Sequence, residues 1–129
     1  MEIILNVRLI KLVVDLNRGT LVKRLERKTT KEMLWPYILR LLQERPMYAY
    51  ELRREVNKRF GWKPPMVTSY TVLYRLQREG YLTMEWKEQR GKPARKYYKI
   101  TDKGQKLLKE AEEYFTDLCK KLFKKRASF

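Results

Sequence analysis

The side chains of this chain with the most specific chemistry lie between residues 70 and 78. Their phenol, hydroxyl and guanidinium groups form hydrogen bonds of the kind that read the edges of nucleic-acid bases. They are Tyr70, Thr71, Tyr74, Arg75 and Arg78. At about 100° per residue they share one arc of a helix with Gln77. The opposite arc carries Ser69, Val72, Leu73 and Leu76. A helix at about 68–79, anchored on its apolar side, would present this polar side to a DNA major groove.

A cluster of cations follows at positions 88–96, where a Gly-x-Pro sequence predicts a turn. Its members are Arg90, Lys92, Arg95 and Lys96. Before the turn, Leu82, Met84 and Trp86 alternate with polar residues, which is typical of a half-buried strand. After it, residues 94–100 have the pattern of a return strand. The sequence therefore predicts a β-hairpin with a basic tip, and we expect its cations to bind phosphates beside the helix.

The segment before this region predicts a helix that supports it. Thr29 and Glu32 have the Thr-x-x-Glu spacing of a capping box, so we expect a helix to begin at Thr29. A wide apolar stripe follows from Leu34 to Leu42, and Arg45-Pro46 ends the helix.

A second helix is predicted over residues 48–60, and Gly61 ends it. Its buried face would consist of Ala49, Leu52, Val56 and Phe60. Three helices followed by a hairpin with a basic tip form a winged helix-turn-helix. We therefore expect a mostly α-helical fold with a small β-hairpin (α+β), in which residues 29–100 are the DNA-binding domain.

Residues 1–28 form an N-terminal extension that we expect to be helical and basic. From Val7 to Arg18, polar residues recur on one helical face. The apolar stretch is too short and too often interrupted by charges for a membrane span, and it lacks a signal-peptide cleavage site. A basic run follows, comprising Lys23, Arg24, Arg27, Lys28 and Lys31. It is either a solvated helix face or an arm that flanks bound DNA.

Residues 101–129 predict a long helix with a basic tail. Thr101 suits an N-cap, and apolar residues then recur at 4-3-4-3-4 spacing from Gly104 to Leu122, as in the a/d seam of a coiled coil. After Gly104 the seam consists of Leu108, Ala111, Phe115, Leu118 and Leu122. The seam either packs on its own domain or pairs with a second copy. We expect a homodimer, because so small a winged domain offers little spare surface.

Composition narrows the possible functions. A formal charge of +16 over 129 residues favours a polyanionic partner. Because the chain has no histidine and one cysteine, histidine-based triads, zinc clusters and disulfide frameworks are excluded within one chain. We therefore expect neither enzymatic activity nor a metal or cofactor. The abundance of Glu, Lys and Arg resembles thermophile composition, and we expect a cytoplasmic protein without membrane association.

Three segments together resemble the PadR family of winged-helix transcriptional regulators, over about residues 34–122. ILRLLQERPMYAYEL is similar to the first-to-second helix segment of that family, TSYTVLYRLQREGYL to its recognition helix, and GKPARKYYKITDKG to its wing and dimer-helix start. Ser69 and Thr71 depart from the usual Leu and Pro of the recognition helix. The resemblance implies recognition-helix roles for Thr68, Tyr70 and Arg75, and wing roles for Arg95, Lys96 and Tyr97.

These patterns lead to one main hypothesis and two alternatives. The main hypothesis is a homodimeric, sequence-specific regulator of double-stranded DNA, and the family resemblance implies a repressor. The first alternative is a nonspecific architectural nucleic-acid binder, which high charge alone would satisfy. The second is a ligand-sensing module, in which Trp35, Tyr114 and Phe115 bind a flat aromatic effector at the dimer interface; core packing is the other interpretation of these three residues.

Overall fold

The computed structural model describes residues 20–124 together with Leu9. The chain divides into two units, Met1–Met33 and Leu34–Phe129. In the first unit, residues 20–29 are helical and a single 3-10 turn spans Lys31–Met33. The helix predicted over Val7–Arg18 lies outside the described residues, Leu9 apart.

The threonines at the end of the first unit close a helix and do not begin one. The Oγ1 hydroxyl of Thr29 donates to the carbonyl of Leu25 at 2.8 Å, and that of Thr30 donates to the carbonyl of Glu26 at 2.6 Å. Glu32 pairs with Lys28 at 3.2 Å. The predicted helix start at Thr29 is therefore wrong, because these groups bond backwards along the chain.

Helix α1, Leu34–Leu42, is the centre of the second unit. Five of its nine residues are buried: Leu34, Ile38, Leu39, Leu41 and Leu42. It contacts the second, third and last helices of the unit and one strand of the sheet. Pro36 lies in its first turn, where backbone amides lack intrahelical partners, so the helix tolerates it.

Helix α2, Ala49–Phe60, buries Ala49, Leu52 and Val56 as predicted. It ends at Gly61, whose left-handed backbone (φ 77°) lets its amide donate to the Asn57 carbonyl at 3.1 Å. Phe60 is 42 % exposed, which corrects its assignment to the buried face. Its ring packs edge-on against Tyr37 at 5.0 Å between centroids, at the rim of the core.

Helix α3, Met66–Arg78, anchors one side in the core through Ser69, Leu73 and Leu76. Ser69 is buried among apolar side chains, but its hydroxyl donates to the carbonyl of Pro65 at 2.7 Å. This hydrogen bond satisfies the polar group, which explains why a serine is tolerated on the apolar arc.

The sheet has three antiparallel strands in the order β1-β3-β2: β1 is Met47–Tyr48, β2 is Leu82–Gln89 and β3 is Lys92–Ile100. The hairpin of β2 and β3 was predicted, whereas β1 was not. In β1, Tyr48 pairs with Tyr97 of β3. Strand β3 begins two residues before the expected Ala94, so the tip is reduced to Arg90 and Gly91.

Helix α4, Asp102–Phe123, begins with the predicted N-cap. The hydroxyl of Thr101 accepts from the Gly104 amide at 3.1 Å and donates to the Gly80 carbonyl at 2.7 Å. Gly104 is buried, and a Cβ there would overlap the carbonyl oxygen of Tyr81. Gly104 thus belongs to packing within its own unit, and the seam available to another chain starts further along α4. The second unit is a winged helix-turn-helix with a long C-terminal helix, which confirms the predicted fold class.

Candidate nucleic-acid interface

The predicted recognition face of α3 is exposed. Tyr74 is 63 % exposed, and Tyr70, Thr71, Arg75 and Arg78 are also exposed, whereas Thr68 is half-buried. Since Leu73 and Leu76 on the other side of α3 are buried, the helix is held by its apolar arc and presents its polar arc to solvent. Thr68 is therefore less available for direct contact with a base than the five exposed residues are.

Several groups on this face are already engaged with one another. The Arg75 Nε lies 3.2 Å from Oε1 of Glu79, and the Arg78 guanidinium carbon lies 5.9 Å from the centroid of the Tyr74 ring. The hydroxyl of Thr71 donates to the Val67 carbonyl at 2.9 Å. The Thr71 proton is therefore used within the helix, and this side chain can offer a partner only its oxygen lone pair and its methyl group.

The four predicted wing cations differ in how they are held. Arg90 and Lys92 are exposed beside the turn, where Gly91 adopts a positive φ of 69°. Arg95 is half-buried, with its guanidinium carbon 4.3 Å from the centroid of the Tyr48 ring. The Gln89 side-chain amide is oriented with its oxygen towards Arg95. This oxygen accepts hydrogen bonds from the Nε and Nη1 atoms of Arg95 at 3.2 and 3.1 Å. The Nζ of Lys96 lies 5.4 Å from the centroid of the Tyr98 ring.

A cleft of about 700 Å³ separates the wing from α2 and α3. Tyr70 lines it from α3, Tyr50 and Arg54 line it from α2, and Trp86 and Lys96 line it from the wing. Trp86 is 59 % exposed, so its predicted place on a buried strand face is wrong. No helix among the described residues covers the wing at this point, and one side of the hairpin opens into the cleft.

The sequence-based prediction did not assign Tyr48, Tyr50, Arg54 or Trp86 to the site, although all four line this cleft. A local signal existed for two of them, because Tyr50 and Arg54 stand at i and i+4 and so share a helix face. No local signal placed that face opposite the wing, since the juxtaposition depends on β1 pairing with β3.

Tyr98 forms part of the wall of the cleft and is buried. Burial raises the pKa of its phenol above the ordinary value of 10.0, and the nearby Tyr70 adds to the increase. Tyr98 therefore remains a neutral, mainly apolar support beneath Lys96.

The predicted dimer seam runs along the part of α4 that follows Gly104. Leu108 packs against the core, while Ala111, Phe115 and Leu118 are half-buried. Leu122 is 65 % exposed, and its neighbour Phe123 is also largely exposed. Burial by the described unit thus diminishes towards the end of the helix, so apolar seam positions remain accessible there.

Two kinds of site are absent from the part of the chain that is described. Within residues 20–124, no helix combines the length and apolar character needed to cross a bilayer. The same residues contain no group of three or more acidic or cysteine side chains placed to hold a metal ion.

Residues 38–110 match the family described as the transcriptional regulator PadR-like family. This chain belongs to that family. The match covers more than half of the sequence, and it includes α3 and the whole wing. PadR-like proteins are transcription regulators and not enzymes, which agrees with the absence of a catalytic constellation expected from composition.

Solved structures of PadR-like proteins are similar to this one. A PadR family transcriptional regulator from Eggerthella lenta is 31 % identical, with a TM-score of 0.70 over 89 % of this chain and 99 % of its own. A PadR-like transcription factor from Bacteroides fragilis is 32 % identical, with a TM-score of 0.66 over 77 % of this chain and 95 % of its own.

A more distant likeness shows the fold alone. Bacillus subtilis PadR, solved in complex with operator DNA, is 22 % identical, with a TM-score of 0.56 over 74 % of this chain and 49 % of its own. No curated protein matches this chain significantly.

Proposed function

We propose that this PadR-like protein is a dimeric, sequence-specific DNA-binding regulator that acts as a repressor. In this proposal residues 29–100 bind DNA, residues 101–129 pair two copies, and residues 1–28 are a basic N-terminal extension. The recognition helix, about 68–79, enters the major groove, and the wing, 88–96, lies on the phosphate backbone. Bacillus subtilis PadR, which has the same fold, was solved in complex with operator DNA, and this supports DNA binding by the present chain.

The observation that carries the proposal is the placement of α3 beside the wing. Tyr70 from α3 and Lys96 from β3 line the same cleft, so a polar reading face and a cationic phosphate-binding hairpin adjoin each other. A duplex laid against α3 would bring its backbone within reach of Lys92 and Lys96. Base discrimination would then come from Tyr70, Tyr74 and Arg75, together with Thr71 and Arg78.

Dimerisation would give this interface its length. Two recognition helices about 34 Å apart would meet successive major grooves on one side of a duplex. In this proposal the two copies pair through Leu108, Ala111, Phe115, Leu118 and Leu122. The exposed end of this seam supports the pairing, because an exposed apolar side chain at a/d spacing, such as Leu122, is stabilised by a second helix. Any change in the angle between two paired α4 helices would alter the distance between recognition helices.

Repression and location complete the proposal. A dimer bound across a promoter would exclude the transcription machinery from the same DNA, which is the mode of action that the family resemblance implies. Such a regulator works in the compartment that holds the chromosome, so we place it in the cytoplasm. A transcription assay on a template carrying the selected operator would show reduced transcript when the protein is added.

Selection of bound duplexes from a random DNA pool tests sequence-specific binding. We expect an enriched palindromic sequence whose affinity exceeds that of random duplex by about 10³-fold or more at the same salt concentration. If random duplex competes equally well with every enriched sequence, the protein is a nonspecific architectural binder instead.

The proposal includes an aromatic effector only as a modulator of the dimer. Tyr114 and Phe115 make an edge-to-face contact at 5.7 Å on α4, and Tyr114 is exposed. Trp35 packs against the core of its unit, so these two α4 rings are the more accessible part of the predicted pocket. Titration of tryptophan fluorescence with flat aromatic compounds, followed by DNA binding at saturation, would detect such an effector.

A further inference from the structure

We infer that the cleft between the wing and α2 is a two-armed phosphate clamp, in which Arg54 of α2 and Arg95 of β3 bind one phosphodiester of the DNA strand while Tyr48 positions both. This inference rests on the proposed DNA-binding function. It adds Arg54 of α2, together with Tyr48, to an interface otherwise built from α3 and the wing.

One tyrosine contacts both arginines. The Arg54 Nη2 donates to the Tyr48 hydroxyl at 3.2 Å, and the Arg95 guanidinium carbon lies 4.3 Å from the centroid of the same ring. Tyr48 is itself fixed, because it pairs with Tyr97 in the sheet and its ring packs edge-on against the Tyr97 ring at 5.5 Å. Cations from two separate elements thus converge on one rigid support.

The described part of the chain does not neutralise the charges in this cleft. No carboxylate in residues 20–124 forms an ion pair with any of the four cleft cations, which are Arg54, Lys92, Arg95 and Lys96. By contrast, Arg59 on the same helix is paired with Glu44 at 2.6 Å and with Glu55 at 2.9 Å. Neighbouring like charges repel one another, so a bound anion would stabilise this cluster of four cations.

The shape and lining of the cleft favour a DNA strand as the source of that anion. Guanidinium groups bind phosphate oxygens through charge-assisted, often bidentate hydrogen bonds. Tyr50, Tyr70 and Trp86 provide apolar walls on either side, which suit the deoxyribose groups that flank a phosphate. Because Tyr70 also belongs to the exposed face of α3, a strand in the cleft would be continuous with a duplex held by the recognition helix.

The test uses the 129-residue chain and measures the fluorescence anisotropy of a labelled random duplex at several salt concentrations. The variants are Arg54→Ala, Arg95→Ala and the double variant, with Lys58→Ala as the matched control, because Lys58 is an exposed cation of α2 that does not line the cleft. Thermal unfolding of each variant shows that it is folded.

If both arginines clamp one phosphate, the double variant lowers the slope of log affinity against log salt by about 0.9 in total. Each single variant lowers the slope by part of this amount, and the fold-losses of affinity are not multiplicative. The control leaves the slope unchanged. Tyr48→Phe, which keeps the ring under Arg95 but removes the oxygen that holds Arg54, weakens binding less than Arg54→Ala does.

The outcomes separate this inference from the proposed function. If the wild-type protein binds no duplex at low salt, the proposed function fails and the clamp fails with it. If the wild type binds but Arg54→Ala matches the Lys58→Ala control, α2 does not touch the strand and only the clamp is overturned. A slope change of about 1.8 in the double variant would mean two separate phosphates and would also overturn the clamp.

Discussion

The Arg75 Nε and the Glu79 carboxylate oxygen lie 3.2 Å apart, one turn from each other at the C-terminal end of α3. The pair is open to solvent, with 72 % of the Arg75 side chain exposed, so its contribution to stability is small. The pair matters more for recognition. To form two hydrogen bonds with a guanine edge, the Arg75 guanidinium must either break its contact with Glu79 or use the edge that does not include Nε.

Base readout by Arg75 predicts a position-specific effect. Arg75→Ala should remove about 1–3 kcal/mol of discrimination at one position of each half-site while leaving the fold intact, because no apolar contact is lost. Affinities for a panel of single-base operator variants would measure this. Glu79→Gln should strengthen binding to every duplex, since it removes a negative charge and frees the guanidinium. If Arg75→Ala weakens binding to every operator variant equally, Arg75 only positions the helix. Tyr70 and Tyr74 would then be the candidates for base recognition.

Phosphate binding by the wing predicts a sequence-independent effect. Lys92 is the cleaner wing lysine to remove, because Lys96 also lies over the Tyr98 ring. Lys92→Ala should lower the slope of log affinity against log salt by about 0.9, with similar losses for operator and random duplex. Lys99→Ala, an exposed change further along β3, serves as the control. A change in the preferred sequence would instead make the wing a reader of bases.

Pairing through the α4 seam predicts that a charge at its centre separates the dimer. Leu118→Lys would bury a lysine against its symmetry mate at a cost of several kcal/mol. Sedimentation equilibrium at micromolar concentration should then show a monomer. Thr116→Lys adds the same charge at an exposed position off the seam and should remain dimeric. Were the Leu118 variant still dimeric, the interface would have to lie elsewhere.

The close approach of α4 to the segment after α3 predicts that Gly104 tolerates no side chain. In Gly104→Ala the new Cβ would overlap the Tyr81 carbonyl oxygen and press on the Ile100 side chain. The backbone shift needed to remove this overlap should cost more than the better helix propensity of alanine contributes. The free energy of unfolding should fall by roughly 1–2 kcal/mol, measured as a lower unfolding midpoint in denaturant. Lys109→Ala, at an exposed position on the same helix, should change stability by less than about 0.5 kcal/mol.

The buried Tyr98 phenol predicts a stability loss at alkaline pH. Its pKa is raised in the folded protein, chiefly by burial, so above pH 10 the unfolded chain loses this proton before the folded chain does. Because the unfolded state then binds fewer protons, the free energy of unfolding decreases as pH rises through this window and is unaffected by Tyr98 below it. Tyr98→Phe should therefore lose less stability than the wild type between about pH 9 and pH 11, the range around the ordinary pKa of tyrosine. Denaturant unfolding at each pH would measure this. Tyr114→Phe, at an exposed position, should behave as the wild type does.

The sequence by itself determined the helices of the second unit and the orientation of α3. Their signals are local: Gly61 and Thr101 set helix ends through their own backbone and hydroxyl bonds. The apolar arc containing Leu73 and Leu76 was also predictable, because helical periodicity fixes which side chains share a face. The family resemblance rested on the same local segments.

Only the tertiary structure decided what those faces meet. Strand alternation showed that Trp86 shares a face with Leu82, but not that the wing extends beyond the helices and leaves Trp86 exposed. Strand β1 has two residues and too short a pattern to be recognised, yet its pairing of Tyr48 with Tyr97 brings α2 beside the wing. The cleft with Arg54 and Arg95 on one tyrosine arises from that pairing, because contacts between distant segments depend on the packing of the whole unit and leave no periodic trace in the chain.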